Sequence, residues 1–203
     1  KMVELFINGG SFMWPILGIF IVGLIFVGER LIHLVSTLKW GESFAADVVN
    51  KLDASGTLDA QTHCEKGQGP IANLFLVGIE NIEKGADGVE KSIDAQANVE
   101  MASLEKNMTW IALCIATAPM LGFLGTVWGM VSAFDAIAAA DNISAKIVAE
   151  GISQALLTTA FGLVVAVILQ ILQNTVLYII DNQIVSIQKS VNAFLKSVES
   201  FSK

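Results

Sequence analysis

The chain has 203 residues, 54% of them hydrophobic and only 15% charged, with a formal net charge of −7 and a mean hydropathy of +0.64. Ordinary soluble domains are about 25% charged, so the composition excludes a disordered chain. The sign of the charge, with no Lys/Arg cluster, excludes a basic nucleic-acid binder, and Cys64 and Cys114 lie too far apart in sequence for a disulfide framework or a metal-type pair.

The charge is unevenly placed. None falls in the 24 residues between Glu4 and Glu29, the 28 between Lys106 and Asp135, or the 30 between Glu150 and Asp181. A membrane-spanning helix needs about 20 mainly apolar residues, so each run predicts one. In chain order the expected segments are an outer N-terminus over 1–11, a first span over 12–35, a helical domain over 36–106, a second span over 107–138, an outer loop over 139–147, a third span over 148–180 and a C-terminal helix over 181–203. In the first span Trp14 suits an interfacial anchor and Pro15 the first turn of a helix. The run reads as a span and not a signal peptide, because Glu4 replaces a basic cluster before it and no small-x-small cleavage site follows.

Positive residues set the orientation. Seven Lys+Arg lie from Glu29 to Lys106 and three in the tail, against only Lys1 and Lys146 on the other side. The N-terminus is therefore expected outside, with 36–106 and the tail in the cytoplasm. The 13 Asp+Glu of the block do not reverse this, because the rule counts positives.

Within the block, apolar spacing predicts helices over Trp40–Ala54, Leu58–Glu65 and Ile71–Lys84. Breaks are expected at Ser55-Gly56, at Gly67-Gln68-Gly69-Pro70 and over Gly85-Ala86-Asp87-Gly88. From Val89 the pattern Ile93, Ala97, Met101, Leu104, Met108 runs into the second span with no evident breaker. One unbroken helix over 89–134, about 69 Å long, is expected. The third span continues past Asp181 through Ile184, Ile187, Val191, Phe194 and Val198. The expected fold class is an all-α membrane protein with three transmembrane helices, the second and third extended far into the cytoplasm.

Two threonines stand on small-residue faces. On a helical wheel Gly122, Gly129 and Ala133 fall within about 60° of Thr126, and Gly125 with Gly129 makes a GxxxG step that lets helices approach closely in lipid. Ala155, Gly162 and Ala166 share a face with Thr159, whereas Gln154 and Thr158 are expected on a different side. A hydroxyl can donate and accept without the cost of a buried charge, so two such faces could line a narrow polar path. The alternative is packing alone, with Thr126 bonded back into its own helix. Glu150 suits a solvated helix-end carboxylate. No enzyme, cofactor or metal site is expected. His63 and Cys64 are adjacent and diverge on a helix, Gly67-x-Gly69 lacks the lysine of a phosphate loop, and no Asp, Glu, His or Lys lies inside the three uncharged runs.

The stretch Ala118 to Met130 reads A-P-x-L-G-x-L-G-T-V-x-G-M, and Gly151 to Leu163 reads G-I-S-x-A-L-x-T-T-A-x-G-L. Both resemble the MotA/TolQ/ExbB proton-channel family, and the three-span layout is similar to the ExbB and TolQ branch rather than to four-span MotA. The resemblance implies a homo-oligomeric, pentameric ring in the bacterial inner membrane, contacting lipids. The ring surrounds a dimer of a single-span ExbD- or TolR-like partner whose membrane aspartate carries protons. The proton-motive force then drives work across the periplasm through a TonB- or TolA-like protein. By position, Thr126 and Thr159 match the family's pore-facing threonines. Many members have a glutamate where this chain has Gln154, so Gln154, Thr158 and Glu150 are candidate polar residues of the pore or its mouth. With no carboxylate at membrane depth in this chain, the titrating group is expected from the partner. A TolQ-like envelope motor, a passive membrane scaffold and a sodium-driven relative stay open as alternatives.

Overall fold

The computed structural model describes residues 2–38, 40–139 and 145–201. Among them there is no strand. The helices are α1 (Met2–Asn8), α2 (Met13–Leu38), α3 (Glu42–Ser55), α4 (Thr57–Lys66), α5 (Pro70–Glu80), α6 (Ala86–Leu104), α7 (Met108–Ala139) and α8 (Ala145–Phe201), with a single 3-10 turn at Ile82–Lys84. The chain divides into two compact units, one of Lys1–Glu29 with Asn107–Thr175 and one of Arg30–Lys106 with Val176–Lys203.

The first unit is made of long apolar helices. α2 buries Met13, Ile16 and Val27 while Trp14, Ile21, Val22 and Ile25 stay exposed. Ile16 joins Cys114, Ala118, Val165 and Leu169 in a core cluster. Gly23 admits the Leu169 side chain, since a Cβ there would stand 2.7 Å from its Cδ1. Phe6 of α1 meets Trp14 edge-on at 5.3 Å. The outward sides of α7 and α8 carry exposed Phe123, Trp128, Phe134, Leu156, Leu163 and Val167. Exposed apolar surface on this scale is unsuited to water. Three stretches, Met13–Ser55, Ala86–Ala139 and Val148–Ser200, each contain a helix long and apolar enough to cross a bilayer. The protein is a multi-pass membrane protein.

The second unit is a small helical domain with a conventional core. Phe44, Val48, Leu52, Leu74, Phe75, Ile79, Ile93, Phe194 and Val198 pack together. The Phe75 and Phe194 rings stack with centroids 4.5 Å apart, so the end of α8 is a wall of this domain. Arg30 is 2% exposed and its guanidinium donates to the Ser103 carbonyl at 3.1 Å. Burial, with the Glu65 charge beside it, pushes the Cys64 thiol up to about 12.

Several expectations need correction. The unbroken helix over 89–134 is interrupted: α6 ends at Leu104 and α7 starts at Met108. Asn107 adopts φ 65°, and asparagine is among the few non-glycine residues that tolerate the left-handed region. Its side-chain amide donates to the Glu29 carboxylate at 3.0 Å, which fixes the turn. The helix expected over Ile71–Lys84 stops at Glu80, where Asn81 caps it and a 3-10 turn follows. Of Gly85–Gly88 only Gly85, at φ 75°, breaks the chain, and α6 is already helical from Ala86. The helix expected from Trp40 begins at Glu42. α8 runs unbroken for 57 residues. Most of the loop expected over 139–147 lies outside the described residues.

The stacked Phe194 makes a direct test of the second unit. Phe194→Ala should cost about 3–5 kcal/mol. Cys64 is buried with a raised thiol, so native protein at pH 8 should resist maleimide. In the Phe194→Ala protein, labelling of Cys64 through opening should speed up by roughly a hundredfold or more, measured by mass spectrometry. Equal labelling rates would contradict this core.

Candidate functional site

α7 buries Ala118, Gly122, Gly125, Gly129 and Ala133, a spacing of three and four that keeps one side of the helix free of bulk. α8 presents buried Ala155, Thr158, Gly162, Val165 and Ala166. These two sides meet. A Cβ at Gly122 would stand 2.9 Å from the Thr158 carbonyl oxygen and 3.2 Å from Thr159 Cα, and one at Gly162 would stand 2.6 Å from the Ala118 carbonyl oxygen. At Gly129 the nearest atoms are the Ala155 backbone and Cβ, at 3.3–3.4 Å. At Gly151 an added Cβ would run into that of Ala133. The helices therefore touch backbone to backbone, as small-residue stripes allow.

The two small-residue faces meet, and within one chain they pack directly on each other. Any polar path must run along another side of the pair. A correction concerns Thr158. It was expected away from Ala155 and Gly162, yet it is 1% exposed and sits between them on the contact face. Positions 155, 158 and 162 keep the spacing of three and four, so Thr158 faces α7 at least as squarely as Thr159. A Cβ at Gly125 would stand 2.7 Å from both Cβ and Oγ1 of Thr158, so Gly125 is the seat of that side chain.

The three hydroxyls are held differently. Thr158 Oγ1 donates to the Ala155 carbonyl of its own helix at 2.8 Å. Thr126, half-buried, donates to the Phe123 carbonyl of its own helix at 2.6 Å. Thr159, also half-buried, donates across the pair to the Gly122 carbonyl at 3.3 Å. Among the three, Thr159 alone links the two helices. Each hydroxyl that donates to a carbonyl keeps its own oxygen lone pairs as acceptors. A threonine in this state can accept a bond from water and can exchange its donor between backbone and water. It cannot carry a charge.

Gln154 is half-buried, and its amide end packs against Gly10 in the turn between α1 and α2, with Cδ 2.9 Å from where a Gly10 Cβ would be. Gly10 has φ +74°, a conformation glycine adopts without strain, so the turn and the amide fit each other. Glu150 is solvated and pairs with Lys146 at 3.8 Å, the two side chains 69% and 83% exposed. Exposed pairs of this kind contribute little. Ala166 is buried, on the same side as Ala155 and Gly162. Further toward the end of the first unit, Gln173 donates to the Met108 carbonyl at 3.5 Å and Gln170 to Asn174 at 3.2 Å. Among the described residues no group of three His, Cys, Asp or Glu side chains could hold a metal ion.

A sequence profile described as the MotA/TolQ/ExbB proton channel family matches residues 66–189, which include α7, α8 as far as Lys189, and both threonine-bearing motifs. The chain belongs to the MotA/TolQ/ExbB proton channel family. Its relatives lie in the ExbB/TolQ branch. It is 29% identical over 188 residues to a biopolymer transport protein ExbB homolog of Methanothermobacter thermautotrophicus, covering 92% of this chain and 67% of the relative. It is 30% identical over 150 residues to the Tol-Pal system protein TolQ of Haemophilus influenzae, covering 68% and 66%. Against the biopolymer transport protein ExbB of Xanthomonas campestris pv. campestris the identity is 27% over 171 residues, covering 79% and 64%. The chain thus spans about two thirds of the length of these curated relatives.

For this family member the helix contact gives a graded expectation. Gly162→Ala places a methyl against a backbone carbonyl, and overpacking of this kind costs about 1–3 kcal/mol. Gly18→Ala, where nothing lies within 4 Å, should be neutral or stabilising by about 0.5–1 kcal/mol. Thermal unfolding in detergent should show the first variant melting earlier than the parent and the second no earlier. Equal midpoints would contradict the close contact.

Proposed function

We propose that the chain is the multi-span subunit of a proton-driven motor of the ExbB–ExbD type. In this reading it couples the proton-motive force to mechanical work across the periplasm and energises TonB-dependent transport at the outer membrane. The observation that carries the reading is the Thr159 hydroxyl bridging α7 and α8 between two runs without a single charged residue. Such a pair can pass protons only by hydroxyl and water exchange, so the group that takes and releases them belongs to another chain. A single-span ExbD- or TolR-like partner with a membrane carboxylate meets that need.

The remaining parts follow from the family likeness. Copies of this chain form a ring, pentameric in this reading, around a partner dimer, with the N-terminus periplasmic and residues 36–106 in the cytoplasm. The ring sits in the inner membrane. Thr126 and Thr159 line the pore, and the chain itself catalyses no covalent chemistry. Gln154 seated on Gly10 and Glu150 paired with Lys146 leave the titrating role to the partner. The identity to TolQ is similar to that to ExbB, though over less of the chain, which makes a TolQ-like envelope motor the second reading.

Valine matches threonine in shape and lacks the hydroxyl. Thr159→Val and Thr126→Val should each lower proton-driven function at least tenfold while the complex still assembles, as judged by native mass spectrometry. Dissipating the proton gradient should change cross-linking between this chain and its partner in the parent and not in the variants. Full function in both variants would refute the pore assignment. Cross-linking that ignores the gradient would favour a passive scaffold.

A further inference from the structure

The second unit holds a groove of about 540 Å³ between α6 and the C-terminal part of α8, inside the roughly 300–1,000 Å³ range of ligand clefts. Two apolar rows line it: Ile93, Ala97 and Met101 from α6, and Ile184, Ile187 and Val191 from α8. Each row repeats at three or four residues over about two helical turns, or roughly 12 Å. Ile93 is fully buried, and the other five are half-buried. The shape suits a helix laid into the groove by its apolar side.

Charge identifies the kind of helix. The charged residues lining the groove are Glu90, Asp94 and Glu100, with no Lys or Arg among them. A neighbouring hollow of about 400 Å³ shares Glu90 and adds Asp87 and Glu199 against one cation, Lys196. Glu100 is only 8% exposed. Its carboxylate accepts from the Asn73 amide at 2.8 Å and the Gln96 amide at 3.0 Å. Among the described residues it has no cationic partner. Burying a carboxylate without a counter-charge is costly; Glu100 borders both this groove and a second hollow with Asn73 and His33, and a cation reaching it from the groove would offset that cost.

We propose that this groove is a docking site for a basic amphipathic helix of a partner protein, with Glu100 receiving its lysine or arginine. A second copy of this chain is a poor occupant. It carries the same net −7. Of its tail lysines, Lys189 and Lys196 share a side of α8 with Val185 and Ala193, too little apolar surface to fill two rows. The site uses neither threonine face and does not depend on the proton-motor reading.

The test uses the full chain in phosphatidylcholine nanodiscs, with empty discs as background. The probe is a fluorescein-labelled 18-residue helix of leucine and lysine, compared with a twin carrying glutamate for lysine. The lysine probe should bind the parent at least tenfold more tightly than the glutamate twin. Glu100→Gln and the surface variant Asp94→Lys should each weaken binding tenfold or more, and Ala97→Trp, which fills the groove, should abolish it. Protection of Cys64 from maleimide reports that each variant is folded. Three results would overturn the proposal: no binding to the parent above empty discs, equal binding to Ala97→Trp, or equal binding of the two probes. A disulfide between copies of Ala97→Cys, in a background without Cys64 and Cys114, would show a second copy in the groove and would overturn it too.

Discussion

Backbone contact between α7 and α8 governs the first unit. Helices in lipid gain little from the hydrophobic effect, because lipid tails are as apolar as leucine. They associate by close packing and by hydrogen bonds. Gly122, Gly129 and Gly162 let the two backbones meet at van der Waals distance, and the Thr159 hydroxyl closes on the Gly122 carbonyl. With the small residues spent on this contact, the bulky ones are left outside. Phe123, Trp128, Phe134, Leu163 and Val167 are exposed as a result, and in a bilayer they would meet lipid or neighbouring chains. Gly125 serves a narrower purpose, making room for Thr158.

The same economy bears on the proposed mechanism. A pair of helices without charge for 28 and 30 residues crosses hydrocarbon without the cost of burying an ion. The hydroxyls that remain are neutral and locally satisfied. Such a scaffold can guide a proton but cannot hold one, and in the proposed assembly that division of labour makes the partner's carboxylate indispensable. The second unit follows other rules. It has a Phe-rich core, a buried Arg30 that donates to a backbone carbonyl, and a buried Glu100 that accepts from two side-chain amides.

The gaps between charges announced the three long apolar helices, because desolvated charge is the most expensive feature a spanning helix can carry. Glycine and proline marked the turns at Gly56, Gly69 and Gly85 for similarly strong reasons. Asn107 hid its break. An asparagine in the left-handed region depends on a distant partner, here Glu29, and no local pattern reveals that. The small-residue faces were legible, but not what they face. A wheel centred on Thr159 shows which residues share a side, and the depth of each side chain depends on where the partner helix lies. The place of Thr158 on the contact face is not legible from the wheel for that reason. The spacing 155, 158, 162, 165 and 169 contained the signal. The seating of Gln154 on Gly10 joins residues far apart in sequence, and neither carries a mark of the other.

The close contact is tested most directly by a disulfide. A Cβ at Gly129 would stand 3.4 Å from Ala155 Cβ, near the roughly 3.5–4.5 Å that a disulfide spans. The measurement is oxidation of the Gly129→Cys/Ala155→Cys protein in membranes, with Cys64 and Cys114 replaced by alanine, followed by mass spectrometry of the digested chain. The arrangement of α7 on α8 predicts a bond formed within one chain in high yield. Bonds formed only between chains, or none under conditions that oxidise exposed pairs, would contradict it.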